Sequence, residues 1–236
     1  RATQGSDVTA INALNQSHGA AVADPEVATR IAQYEMAFQM QASVPGLMDV
    51  SGEKAETLAL YGIGPGLPSD DFGRQCLLAR RLAEAGVRFI EITHEDWDHH
   101  GFLSSLMPAR CREIDKPIAG LLTDLAQRGL LADTLVVWGG EFGRTIYSQG
   151  GLSKDNYGRD DHPRCFTMWM AGGGLKPGLT LGESDEFGFN ATVDKVHVHD
   201  LHATLLHQLG FDHTKLVYRF QGRDFRLTDV HGELVT

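Results

Sequence analysis

Two apolar runs, residues 87–93 (Val-Arg-Phe-Ile-Glu-Ile-Thr) and 134–138 (Thr-Leu-Val-Val-Trp), lead almost directly into loops crowded with glycines and ionisable side chains. The first loop is Trp97-Asp98-His99-His100-Gly101 and the second is Gly140-Glu141-Phe142-Gly143-Arg144-Thr145. In 87–93, alternation puts Val87, Phe89 and Glu91 on one face and Arg88, Ile90 and Ile92 on the other. A strand with apolar residues on both faces fits a sheet covered on both sides. A third buried run, 166–171, ends in Gly172-Gly173-Gly174.

Helical spacing fills the intervals. Val27, Ile31, Tyr34, Phe38 and Ala42 recur three and four apart, which predicts an amphipathic helix over 27–44. Residues 1–20 are polar and read as a loose or helical lead. Pro45, Gly46 and Gly52 punctuate the segment after that helix, and 54–61 reads as a short helix. Ser69 or Asp70 is an N-cap for a helix over 72–85 that Gly86 terminates. A long helix over 106–129 puts Ile114, Ile118, Leu121, Leu122 and Leu125 on its core face, with Pro117 inside it as a kink. A last helix over 200–209 stops at Gly210, and 218–227 reads as a turn-linked strand pair. This order predicts a layered α/β fold with a mostly parallel sheet. No repeat or linker divides the chain, so one domain spanning 1–236 is expected.

The net charge of −10 argues against a nucleic-acid or anionic-membrane surface. A small anionic substrate stays open, because a bound cation reverses the field around it. Cys76, Cys111 and Cys165 form no C-x-x-C pair and read as isolated thiols. No stretch approaches the roughly 20 apolar residues of a transmembrane helix. The chain opens on Arg1 with neither Met nor an apolar leader, which predicts an internal start within a longer protein.

Asp98 and His100 are two apart, so an extended backbone points both the same way, and a carboxylate beside an imidazole suits a transition metal. The competing reading is a polar surface loop with Trp97 covering a core edge. Glu141 follows two glycines that let backbone approach a ligand, and Arg144 has the planar fork that grips phosphate or sulfate oxygens. The competing reading is a Glu141–Arg144 surface ion pair, which the flanking glycines and the apolar strand aiming the loop weaken. Asp160, Asp161 and His162 precede the third strand and offer further ligands, although Asp-Asp-His-Pro is also good turn chemistry. His199 and His202 could chelate from one helix face, or Asp200 could simply cap that helix.

Several of these segments together resemble one bacterial family. They are Phe72-Gly73-Arg74-Gln75-Cys76, Ala85-Gly86-Val87-Arg88-Phe89, Trp97-Asp98, Gly140 to Thr145, Gly158-Arg159-Asp160 and Ala171 to Gly174. The family is domain of unknown function 1501, a sulfatase-like group placed in the alkaline phosphatase superfamily. The resemblance implies a three-layer α/β/α fold and an exported protein. It further implies that this chain is the C-terminal portion, with the first metal-binding Asp and the nucleophile upstream of Arg1. Relatives read Gly-Arg-Asp-His where this chain has Asp161 followed by His162.

The expected activity is metal-dependent hydrolysis of phosphate or sulfate esters. Asp98, His100, Glu141, Asp160, Asp161 and His162 would hold divalent metal, and Arg144 would balance charge on the ester. Mixed imidazole and carboxylate ligands favour zinc or manganese over calcium. The alternative expectation is a non-catalytic binding or assembly domain on the cell exterior.

Overall fold

The computed structural model describes residues 25–235 together with Ala13. The chain divides into two compact units, Arg1–Glu53 and Lys54–Thr236. The lead read at 1–20 lies outside the described residues, Ala13 apart. In the first unit, helix α1 (Pro25–Met48) covers the predicted 27–44 and runs on through Pro45. Pro45 stands within a turn of the helix end and forfeits only its own bond to the carbonyl four residues back, so the helix survives it.

The core of the second unit is helical. Helices α2 (Ala55–Leu60), α3 (Asp70–Glu84) and α4 (Leu103–Gln127) come in order, and α3 packs on α4. Phe72, Cys76, Leu77 and Ala79 of α3 are buried, as are Ile114, Pro117, Leu121 and Leu125 of α4. These spacings of three and four place each set on one helical face. Pro117 is fully buried and sits inside the helix without ending it.

Tyr61 lies just past α2 and is completely buried; its hydroxyl donates to Asp124 Oδ2 at 3.0 Å. The Nε of Arg80 lies 2.9 Å from the same oxygen, and Arg128 Nε donates to Asp124 Oδ1 at 2.7 Å. Asp124 and Arg80 are 5% and 2% exposed. A carboxylate this deep is tolerated because it is both paired and hydrogen-bonded.

The helix ends agree with the sequence reading. Gly86, Gly129 and Gly210 all have φ between 73° and 85°. At each, the glycine N–H bonds the carbonyl three residues back and the next N–H bonds the carbonyl five back, which satisfies carbonyls the helix leaves open. Among the described residues, no helix is long and apolar enough to cross a membrane.

The strands correct the expected architecture. Among the described residues there is no parallel sheet and no α/β/α layering, only four antiparallel two-stranded ladders. β1 (Leu135–Trp138) pairs with β4 (Trp169–Gly172), and β2 (Gly143–Gln149) with β3 (Gly158–His162). β5 (Glu183–Ser184) pairs with β6 (Ala191–Val193), and β7 (Val217–Phe220) with β8 (Arg223–Arg226). The β7–β8 hairpin turns on Gln221 and Gly222, both at positive φ, as a tight hairpin turn requires. Residues 87–93 form no strand, and Phe89 is 76% exposed. Alternation specifies what a strand can bury; a ladder also needs a neighbouring backbone about 4.8 Å away, and none is supplied among the described residues.

Candidate metal centre

Two pieces of chain build the site: loop 97–101 and the β2–β3 hairpin. The hairpin register sets Arg144 opposite Asp161, Gly143 opposite His162 and Gln149 opposite Gly158, with a bulge between Arg144 and Ser148. Thr145 holds the bulge. Its hydroxyl accepts from Asp160 N at 3.0 Å and donates to the Tyr147 carbonyl at 2.9 Å. The Arg159 guanidinium donates to the carbonyls of Thr145 and Ile146.

The loop docks on this hairpin through backbone. Arg159 N donates to the His99 carbonyl and Leu103 N to the Tyr157 carbonyl, both at 3.0 Å. Gly158 makes the approach possible, because any Cβ there would collide with the His100 backbone. On its other side the loop is tied to the helical core. Trp97 Nε1 donates to His94 Nδ1 at 2.9 Å, and His94 Nε2 meets Glu113 of α4 at 3.1 Å.

Asp98, His100 and Asp161 converge. One ligand atom from each lies within 4.8 Å of the other two. His100 Nε2 stands 2.7 Å from Asp98 Oδ1, and Arg144 Nη1 stands 2.6 Å from both Asp98 Oδ1 and Asp161 Oδ1. The hydrogen bond from Arg144 holds the Asp98 carboxyl below the usual carboxylate range, helped by the nearby positive charge. The Gln149 side-chain carbonyl accepts from His100 Nδ1 and raises the His100 pKa; the Asp98 and Asp161 charges add to this. With Nδ1 donating to Gln149, Nε2 donates to Asp98 Oδ1 while the ring is protonated, and loss of that proton frees its lone pair for a metal.

The other candidates stand differently. Asp160 Oδ1 is 3.9 Å from His100 Nδ1 and accepts from Asp161 N at 2.8 Å, so Asp160 flanks the group. His162 is 6% exposed; its Nε2 donates to the Phe189 carbonyl at 2.5 Å, and it serves packing rather than the group. Glu141 lies exposed in the bend before β2, outside the three-residue group. The histidines of the last helix, α5 (Val198–Gln208), are accounted for in part by capping. His197 is the N-cap, and the Asp200 carboxylate accepts from His197 N at 2.8 Å.

Two participants escape a reading of the sequence alone. Gln149 carries no ionisable group, and only the hairpin register brings it to His100. His99 is 5% exposed; burial lowers its pKa, and its Nδ1 finds no hydrogen-bond partner among the described residues.

The arrangement offers two carboxylate oxygens and one imidazole nitrogen from two chain segments, partly open to solvent. That donor set suits a borderline divalent ion. A family described as "Protein of unknown function (DUF1501)" matches residues 1–236. No curated protein and no solved structure matches the chain.

Proposed function

The chain belongs to the DUF1501 family, and from that premise we propose a metal-dependent hydrolase of phosphate or sulfate esters, sulfatase-like in chemistry and exported. The observation that carries this reading is the convergence of Asp98, His100 and Asp161 beside Arg144. Asp98, His100 and Asp161 are the residues that would hold the ion, with Asp160 flanking them. Zinc or manganese fits better than calcium, because one of the three donors is an imidazole. A divalent ion held there would supply Lewis acidity toward an ester oxygen. Gln149 fixes the tautomer and direction of His100. Arg144 supplies a planar, permanently charged fork for the oxygens of the anionic ester.

The test is metal content by elemental analysis of the purified protein, with turnover of aryl phosphates and aryl sulfates. Asp98→Asn and Asp161→Asn should each lower metal content and activity together. Full metal content and full turnover in both variants would end this reading. A second reading, a non-catalytic binding or assembly domain on the cell exterior, draws support from the exposed apolar surface. Leu152, Phe89, Leu227 and Tyr218 are 80%, 76%, 71% and 69% exposed. Absence of turnover in metal-loaded protein would favour it.

A further inference from the structure

We infer that Arg144 is the resident counter-cation of this site, and that a divalent ion binds only by displacing its guanidinium from between Asp98 and Asp161. The inference rests on the metal half of the proposed function. It concerns the order in which charges occupy the site, not the reaction.

A single nitrogen, Arg144 Nη1, lies 2.6 Å from one oxygen of each carboxylate. That is where a cation shared by the two carboxylates would sit. Asp98 Oδ1 also faces His100 Nε2 at 2.7 Å, so the guanidinium and the imidazole share the one oxygen a metal would need. Two carboxylates this close repel unless a positive charge stands between them, and Arg144 provides that charge.

The pairs are also weak enough to break. The Asp98, Asp161 and Arg144 side chains are 66%, 46% and 28% exposed, and ion pairs open to water hold little net energy. The Arg144 backbone is fixed in the ladder opposite Asp161, so a displaced side chain stays tethered at the rim of the site. Released there, it can reach the oxygens of an anion lying on the ion. The predicted order is therefore metal first and anion second, with each strengthening the other.

Titration of the whole chain with Mn²⁺ by calorimetry tests the displacement. Arg144→Gln removes the competitor and should bind Mn²⁺ about tenfold tighter than the parent. Arg144→Met, which keeps the aliphatic stem, should do the same and guards against a folding defect peculiar to one variant. Asp98→Asn should abolish the tight binding and so identify the site being read. Equal or weaker Mn²⁺ affinity in both Arg144 variants overturns the inference while leaving the hydrolase reading intact. Failure of parent and variants alike to bind Mn²⁺ overturns both.

Discussion

The second unit contains two clusters of similar chemistry, each an aspartate gripped by arginine, and water treats them oppositely. Around Asp124, one carboxylate takes Tyr61, Arg80 and Arg128, and both Asp124 and Arg80 are almost fully buried. Around Arg144, one guanidinium bridges two carboxylates that remain substantially exposed. In the first cluster, burial locks Asp124, Arg80 and Tyr61, with Arg128 at the rim, so its worth is structural. In the second, the ions remain exchangeable, which a binding site needs and a core cannot tolerate. Burial, not residue type, separates the two.

Removing one partner from each cluster gives the largest contrast. Asp124→Ala should cost about 3 kcal/mol, because Arg80 and the Tyr61 hydroxyl lose their shared acceptor in the core. The shift of the denaturation midpoint measures it, and a loss under about 1 kcal/mol would erase the contrast between the clusters. Leu125→Ala, the next residue along on the buried face of the same helix and 1% exposed, should cost about 2–5 kcal/mol by leaving a cavity.

A smaller effect separates the regions by pH. Burial pushes the Cys76 thiol up to about 12, and burial together with the Asp124 charge raises the Tyr61 hydroxyl above its usual 10. For both groups the folded state holds its proton more tightly than the unfolded chain. The stability they contribute is complete below about pH 9 and is lost as pH rises toward 12. Denaturation midpoints between those limits should fall, less steeply in Cys76→Ala. The same burial makes Cys76 slow to alkylate at pH 8, whereas half-buried Cys111 and Cys165 should react first. Peptide mass mapping reads the order, and early labelling of Cys76 would contradict the core placement. At the small end, Asp98→Asn should leave the denaturation midpoint of the metal-free protein unmoved while removing the rise that added metal gives the parent, which is the signature expected of an exposed site.

The features legible in the sequence are local ones. Gly86, Gly129 and Gly210 end their helices as the sequence predicts, since a left-handed residue past a helix is a property of one position. The β7–β8 hairpin is legible for the same reason: its turn and alternation lie within ten residues. Partnership is not legible. Residues 87–93 have strand composition but no pairing neighbour among the described residues, and β1 pairs with β4 in the antiparallel sense rather than with a parallel mate. Reading 140–145 and 158–162 as loops misses that they form one hairpin, although the β-favouring Thr145-Ile146-Tyr147 run is a signal for it. That pairing assembles the candidate site. It selects Asp161 over His162 because neighbouring strand residues point to opposite faces, and it leaves Glu141 outside.

The β1–β4 ladder ends in an indole pair, Trp138 and Trp169, with ring centroids 6.1 Å apart and planes 9° from parallel. The chain has only one other tryptophan, Trp97, beside the candidate site. Indoles this near couple electronically, so the size and sign of the exciton doublet in circular dichroism would read the in-plane angle between the two rings. The emission lost in a Trp97→Phe variant would report the metal loop, separately from the ladder's exciton signal.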